Sequence, residues 1–586
     1  MTPQRAQTRS PLLSLVFAGS VLLLAACGDE EWRGDGTVAM ADRLAELARE
    51  VESQSHPYAM SASSRSESLD EPADTPEGRI AARAMEAREA MRSGRPEEAV
   101  EELQTLVSDL SNLGSAVSPG LRLAIVESLG LAHMRVWGRE NCLAGGLSEP
   151  CLFPLEPRDG SAQDHARSAV EIYHLLTDGQ PENLALRWLL NLSHMMVGDY
   201  PEGVPEAHLI PPDRAGDEYP LPRFPDVAGA LGVDEMGHAG GAIMDDLDRD
   251  GDLDLVASSW HLRDQLRLYR NDGPAGFTDI TYSAGLRGIT GGLNLAQADS
   301  DNDGWLDILV LRGAWTSYGE PNSLLRNNGD GTFEDVTEAA GLLAELPTQA
   351  GAWGDFDNDG WLDLFVGHES QPDRTIPSQL FRNNGDGTFT EMGAAVGAGV
   401  VGFVKAAVWG DVDNDGWQDL YVSRLSQPNV LLRNRGPGPD GLPTFAEITE
   451  RAGVAEPLAS FPSWFWDYDN DGWLDIFVSG YQGTVGDLAA EYLGLPHAGE
   501  TPRLYRNLGD GRFQDVTVDA AMARVLLTMG SNFGDLDNDG FEDLYLGTGE
   551  ANLQTIVPNR MFRNDRGQSF QEVTAPGGFG HLGKGH

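Results

Sequence analysis

Two hydrophobic periods divide the chain. From about residue 78 to residue 203 apolar side chains recur every three to four positions. Beyond residue 223, short apolar runs alternate with polar residues and are interrupted by Gly, Asp and Asn. The first period is that of helices with one buried face, the second that of half-buried strands. Helices are predicted over 81–91 and 97–110, joined by Gly94-Arg95-Pro96 with Pro96 opening the second, and over 121–136, 164–176 and 182–197. The strands come in fours. One such as 406–409 enters an acidic loop and one such as 420–422 leaves it. A third carries Leu-x-Arg-Asn, as in Leu380-Phe381-Arg382-Asn383. A turn such as Gly385-Asp386-Gly387 leads to a fourth, such as Phe333-Glu334-Asp335-Val336-Thr337. Four short antiparallel strands per repeat make a propeller blade, so the fold class is multidomain, an α-helical region followed by an all-β propeller.

The acidic loop reads Asp-x-Asp-x-Asp-Gly-x-x-Asp and occurs six times, at steps of 53, 56, 56, 56 and 68 residues. Its candidate ligands are Asp246, Asp248, Asp250, Asp252 and Asp254 in the first copy and Asp299, Asp301, Asp303, Trp305 and Asp307 in the second. The third and fourth copies offer Asp355, Asp357, Asp359, Trp361 and Asp363, then Asp411, Asp413, Asp415, Trp417 and Asp419. The last two offer Asp467, Asp469, Asp471, Trp473 and Asp475, then Asp535, Asp537, Asp539, Phe541 and Asp543. At the seventh position the backbone carbonyl is the expected donor. Four carboxylates within nine residues repel one another unless a cation neutralises them. An all-oxygen set in a flexible turn suits calcium, with about six ions expected. An EF-hand would need Glu at the twelfth position, where the chain has Ala257, Val310, Val366, Val422, Val478 and Leu546.

These repeats resemble the FG-GAP or VCBS repeats of integrin-type propellers. Further stretches resemble the bacterial ASPIC/UnbV, or cartilage acidic protein, family: Leu209-Ile210-Pro211-Pro212, Phe224-Pro225-Asp226-Val227, Gly240-Gly241-Ala242-Ile243 and the final seven residues from Gly580 to His586. The resemblance implies a calcium-stabilised, extracytoplasmic binding scaffold. Six blades are complete, while residues 223–227 and 580–586 read as the edges of a seventh. The family usually continues through another calcium loop, so the chain reads as truncated at its C-terminus, with a closed six-bladed ring as the alternative. The helical region resembles tetratricopeptide repeats.

The start of the chain carries Arg5 and Arg9 before an apolar run over 12–26, then Leu24-Ala25-Ala26-Cys27. This reads as a lipoprotein signal peptide over 1–26, with Cys27 lipidated and outer-membrane or surface sorting favoured over the inner membrane. Residues 27–75 read as a flexible tether with a short helix over 40–51, residues 76–205 as the helical domain, 206–222 as a linker and 223–586 as the propeller. Cys142 and Cys151 are expected to pair in an oxidising compartment.

Lys and Arg total 41 against 91 for Asp and Glu, a formal charge of −50 that excludes nucleic acid as a partner. Calcium loops and third-to-fourth hairpins should share one face of the propeller. The opposite face should present Trp260, His261, Arg312, Trp315, His368, Arg424, Tyr481 and Glu550 to a protein, peptide or glycan. No catalytic triad order, histidine metal cluster or phosphate loop accompanies them, so binding or adhesion is the expected task. A propeller hydrolase or lyase using that face is the alternative.

Overall fold

A computed structural model describes residues 34–53, 75–143, 151–155, 162–211 and 219–583, apart from 236, 317, 440 and 551. The signal peptide, Cys27 and most of the tether lie outside the described residues. No described helix is long and apolar enough to cross a membrane.

Helices α2 (Pro76–Arg92), α3 (Pro96–Leu113), α4 (Pro119–Gly138), α5 (Gln163–Gly179) and α6 (Leu184–Val197) pack successively side by side. Their starts are set by local chemistry: Thr75, Ser118 and Asn183 each accept a backbone N–H of the first turn, and Pro occupies the opening of α2, α3 and α4. The α4–α5 seam is tight because Gly130 lies against Tyr173; a Cβ there would come 2.9 Å from the ring. Cys142 and Cys151 are bridged, with Cα atoms 5.7 Å apart.

The six blades each have four antiparallel strands in sequential order. Blade 1 comprises Ala242–Asp245, Asp254–Ala257, Arg267–Asn271 and Phe277–Asp279; blade 2 comprises Asn294–Ala298, Asp307–Leu311, Ser323–Asn327 and Phe333–Asp335. Blade 3 is Thr348–Gly354, Asp363–His368, Gln379–Asn383 and Phe389–Glu391, and blade 4 is Val404–Gly410, Asp419–Arg424, Val430–Pro437 and Pro443–Glu447. Blade 5 is Ser460–Trp466, Asp475–Gly480, Arg503–Asn507 and Phe513–Asp515, and blade 6 is Thr528–Gly534, Asp543–Thr548, Arg560–Asn564 and Phe570–Glu572. Apolar side chains of neighbouring blades interdigitate, as where Phe356, Phe365 and Leu380 of blade 3 meet Leu420, Val422 and Leu432 of blade 4.

A polar latch accompanies this packing. In blades 2 to 6 the buried Asn of the third strand donates to the carbonyl of the second loop residue in the preceding blade: Asn327 to Leu247, Asn383 to Ser300, Asn434 to Phe356, Asn507 to Val412 and Asn564 to Tyr468. Asn271 of blade 1 donates instead to Leu253 of its own blade. Residues 219–231 lie between blades 6 and 1. Leu221 packs on Met561 and Val573, and Leu231 approaches Gly276.

The strand predicted over 223–227 is absent, because no third strand lies beside it to form a ladder. Its backbone still takes the place of a fourth strand. Phe224 N–H donates to Gly577 O as Phe333 does to Ala284, Phe389 to Ala340 and Phe570 to Ala520. The other predicted edge turns to the helical domain: Phe153 N–H donates to Gly580 O, and Leu152 bridges His581.

The tether reading also needs correction. Residues 35–53 form a 19-residue helix, α1 (Asp35–Ser53), longer than the segment predicted and docked on the propeller. Met40, Leu44, Ala48 and Val51 lie on one face of α1 and join the core of blades 1 and 2. Thr37 Oγ1 accepts from Asp335 N–H (2.9 Å), satisfying a donor on the outer edge of blade 2. Composition pointed to a tether because large apolar residues are few across residues 27–75; the helical spacing of Met40, Leu44, Ala48 and Val51 places those it has on one face.

Candidate metal centres

Each acidic loop joins the first and second strands of its blade. In blade 3 the Asp355 carboxylate accepts from Asp359 N–H (3.1 Å) and Gly360 N–H (2.9 Å), folding the loop around its first residue. Asp359 accepts from Trp361 N–H (3.0 Å). Asp363, fully buried, accepts from Phe356 N–H (3.0 Å) and Asn383 N–H (2.8 Å). Asn358 adopts φ 55° and Gly360 φ 89°, left-handed values that Asn tolerates and Gly adopts without strain. The Asn358 amide donates to Gly416 O of the next loop (2.8 Å), so consecutive loops are tied along the rim.

The third position differs. One oxygen of Asp357 accepts from Arg382 Nε (2.5 Å), while Oδ1 is buried without a hydrogen-bond partner. The same oxygen is orphaned in Asp301, Asp413, Asp469 and Asp537. An unpaired buried carboxylate oxygen is costly, and its recurrence in five loops marks the place where a cation would bind. Carboxylate oxygens of Asp355, Asp357 and Asp359 lie within 4.8 Å of one another, as do those of Asp411, Asp413 and Asp419. Burial pushes Asp363 and Asp475 up to about 8, Asp419 to about 7, and Asp307 and Asp543 to about 6, with neighbouring loop carboxylates adding to the rise. These residues fit an oxygen-liganded divalent ion, whose charge would offset the burial and mutual repulsion that raise these carboxyls.

Sequence reasoning missed the arginines. Arg382 bridges Asp357 and Asp359, Arg433 bridges Asp413 and Asp415, Arg506 bridges Asp469 and Asp471, and Arg563 bridges Asp537 and Asp539. The signal was the Leu-x-Arg-Asn phrase, which recurs in blades 1 to 5 and as Met561-Phe562-Arg563-Asn564 in blade 6, and was read only as a strand.

With loops and blades placed, comparison with known proteins is direct. Residues 246–310, 314–366, 355–422, 411–478 and 467–546 match the FG-GAP-like repeat family. The chain belongs to this family. Among curated proteins it is similar to cartilage acidic protein 1 of Homo sapiens (32% identical over 167 residues, 28% of this chain and 25% of that protein) and of Mus musculus (31%, same coverage). The Xenopus tropicalis protein is 24% identical over 223 residues, 34% of this chain and 31% of its own. The chain thus matches about a quarter to a third of these relatives' length. Among solved structures, that of the V. cholerae biofilm matrix protein Bap1 aligns with 47% of this chain and 38% of its own at 14% identity and TM-score 0.26.

On the opposite face of the FG-GAP propeller the predicted binding residues are more internal than expected. Arg312 is fully buried and donates to Thr290 O, Pro321 O and Ser323 Oγ. His368 is 1% exposed, between Thr348 Oγ1 and Gln379 Oε1, and burial lowers it to about 4. Arg424 donates to Pro428 O and Val401 O, and Glu550 accepts from Thr555. Their polar groups satisfy connections that the strand pattern left open, so Arg312 and His368 are not ligand-facing. Trp315 and Tyr481 are brought together through Phe461 (ring centroids 5.8 and 4.9 Å), beside the buried Lys405–Glu369 ion pair. Trp260 donates from Nε1 to Ala314 O (3.0 Å).

His261 stacks on His238 (5.2 Å), and both face Asp264. Burial raises that carboxyl, but hydrogen bonds from His238 and Ser259 outweigh it and hold it at about 2. The Ser259 hydroxyl and the His238 imidazole both bond the carboxylate, and Ser259 Oγ accepts from the His238 backbone N–H (3.0 Å) and not from its ring, so this group is not a nucleophile–base pair.

Part of the same face is covered by the helical domain. Helix α7 (Val485–Tyr492), inserted between the second and third strands of blade 5, packs on α6, and Trp188 donates from Nε1 to Ile556 O of blade 6 (2.8 Å). Leu488, Tyr492, Leu553 and Ile556 share one core with Trp188, Leu189 and Leu192.

Proposed function

We propose that this chain is a calcium-stabilised binding scaffold. Calcium in the six loops sets the stiffness of the propeller, and the aromatic part of the opposite face not covered by the helical domain, around Trp260, Trp315 and Tyr481, engages a protein, peptide or glycan. The observation that carries the metal assignment is the orphaned third-position oxygen in five loops, beside buried ninth-position carboxylates. All donors are oxygen, which selects a hard ion, and the flexible, many-liganded turn suits calcium over magnesium. With six ions bound the charge would still be about −38, which keeps nucleic acid away. The Cys27 lipid anchor and an extracytoplasmic, surface-facing location belong to the same reading, as does the oxidising compartment that suits the Cys142–Cys151 bridge.

The test is thermal unfolding of the purified chain in EGTA and in millimolar calcium, with metal content from elemental analysis. The reading predicts several calcium ions per chain and a rise in melting temperature that grows with calcium concentration. Identical melts and no bound calcium overturn it. For the binding role, a pull-down from detergent-solubilised membranes should yield a partner lost on Trp315→Ala and in EGTA.

A further inference from the structure

The helical domain contains a cluster that the propeller reading does not use. His174 on α5 and His194 on α6 point their Nε2 atoms at each other across the helix seam, 3.0 Å apart, with the rings at 85°. On its far side His194 Nδ1 lies 2.8 Å from Asp199 Oδ1. A carboxylate accepts only, so in the neutral ring Nδ1 carries the proton and Nε2 is the acceptor, taking a hydrogen bond from His174 where no ion is bound. This carboxylate–imidazole arrangement is the one that orients a metal-ligating histidine.

A third histidine, His208, lies in the segment that follows α6. His208 is tied to α6 through its backbone carbonyl, which accepts from Arg187 Nε (2.9 Å) and Asn191 Nδ2 (2.8 Å), three residues before His194. Its Nδ1 is buried without a hydrogen-bond partner.

We propose that His174 and His194 are the paired imidazole ligands of a site for a borderline divalent ion of the zinc class, with Asp199 as the positioning residue behind His194 and His208, whose buried Nδ1 has no partner, as the third ligand the ion would draw in. Two imidazole nitrogens bound at about 2.0–2.1 Å to one tetrahedral ion stand about 3.3 Å apart, close to the separation found here. Nitrogen donors exclude calcium, so this site and the acidic loops take different metals. Such an ion would staple α5 to α6 and hold residues 199–208 against the seam. Sequence reading could not see the group, because 20 and 14 residues separate its histidines.

The experiment titrates zinc into the untagged, calcium-loaded full chain by calorimetry, and cobalt(II) by visible absorption. One zinc site of micromolar or tighter affinity is expected to persist in millimolar calcium, with a nitrogen-rich tetrahedral cobalt spectrum. His174→Gln should weaken zinc at least about tenfold and Asp199→Asn about tenfold to a hundredfold. No zinc binding, displacement by calcium, or an unchanged isotherm in His174→Gln overturns the proposal. Should the variants not fold, the cobalt spectrum of the natural chain decides: absence of the tetrahedral band sinks it.

Discussion

Arg382 places its Nε 2.5 Å from Asp357 Oδ2, on the same carboxylate whose other oxygen has no partner. The guanidinium fills one side of the acidic cluster and leaves the other to a cation. It stabilises the metal-free loop, yet it sets a positive charge beside the place where the ion binds.

That position makes the sign of a substitution predictable. Arg382→Gln should tighten calcium in the third loop by about three- to tenfold, because a nearby like charge is removed, while the metal-free protein becomes less stable. The gap between EGTA and calcium melting temperatures should widen relative to the natural chain. A gap that narrows would mean that the arginine's main role is to hold ligand oxygens in place for the ion.

The ninth-position carboxyls predict a pH dependence. Asp363 and Asp475 are raised to about 8 and Asp419 to about 7, above the unfolded value of about 3.9. The folded metal-free state therefore binds more protons than the unfolded one. The stability these three carboxyls contribute is fully present below about pH 4 and is lost as pH rises toward 8. Calcium replaces those protons, so its affinity should rise over the same window. Urea unfolding in EGTA between pH 5 and pH 8 checks this: the midpoint should fall with pH, and calcium should flatten the slope.

The blades and acidic loops were legible in the sequence because each is dictated locally. Asp, Asn and Gly at fixed offsets leave few other backbones for a loop such as 355–363, and alternation fixes which face of a strand is buried. What the sequence hid was tertiary. Arg312 and His368 look like rim residues by position, but their polar atoms satisfy neighbouring backbone and side-chain groups that only the assembled blades bring near. Helix α1 sits in a Ser- and acid-rich stretch, and only its docking face reveals that it is not a tether. The histidine seam needed the α5–α6 register.

Leu44 of α1 is fully buried between α1 and blades 1 and 2. Leu44→Ala removes apolar contact worth about 2–5 kcal/mol where the surroundings do not collapse. Because α1 is held by one face alone, the expected outcome is undocking of α1 rather than global unfolding. Limited proteolysis should then cut within residues 34–53 while the melting of the propeller changes little. A large drop in the main transition would show instead that α1 belongs to the cooperative core.

Trp188 joins the two halves of the molecule. Its ring is 2% exposed, lies 5.8 Å from Phe153 and 5.5 Å from Tyr492, and donates to Ile556 O. Trp188→Phe keeps an aromatic in the seam but leaves that carbonyl without its donor, at about 1–3 kcal/mol. The cost should fall on the domain contact, since the partners lie in α7 and the 553–557 connection and not in the blade ladders. Hydrogen exchange should therefore quicken at residues 485–492 and 553–557 on one side and in α6 on the other, with strands of blades 2 to 4 unchanged. Uniform acceleration across all blades would show that the helical domain and propeller unfold as one unit. Exchange confined to α6 would show that α7 is held by blade 5 alone.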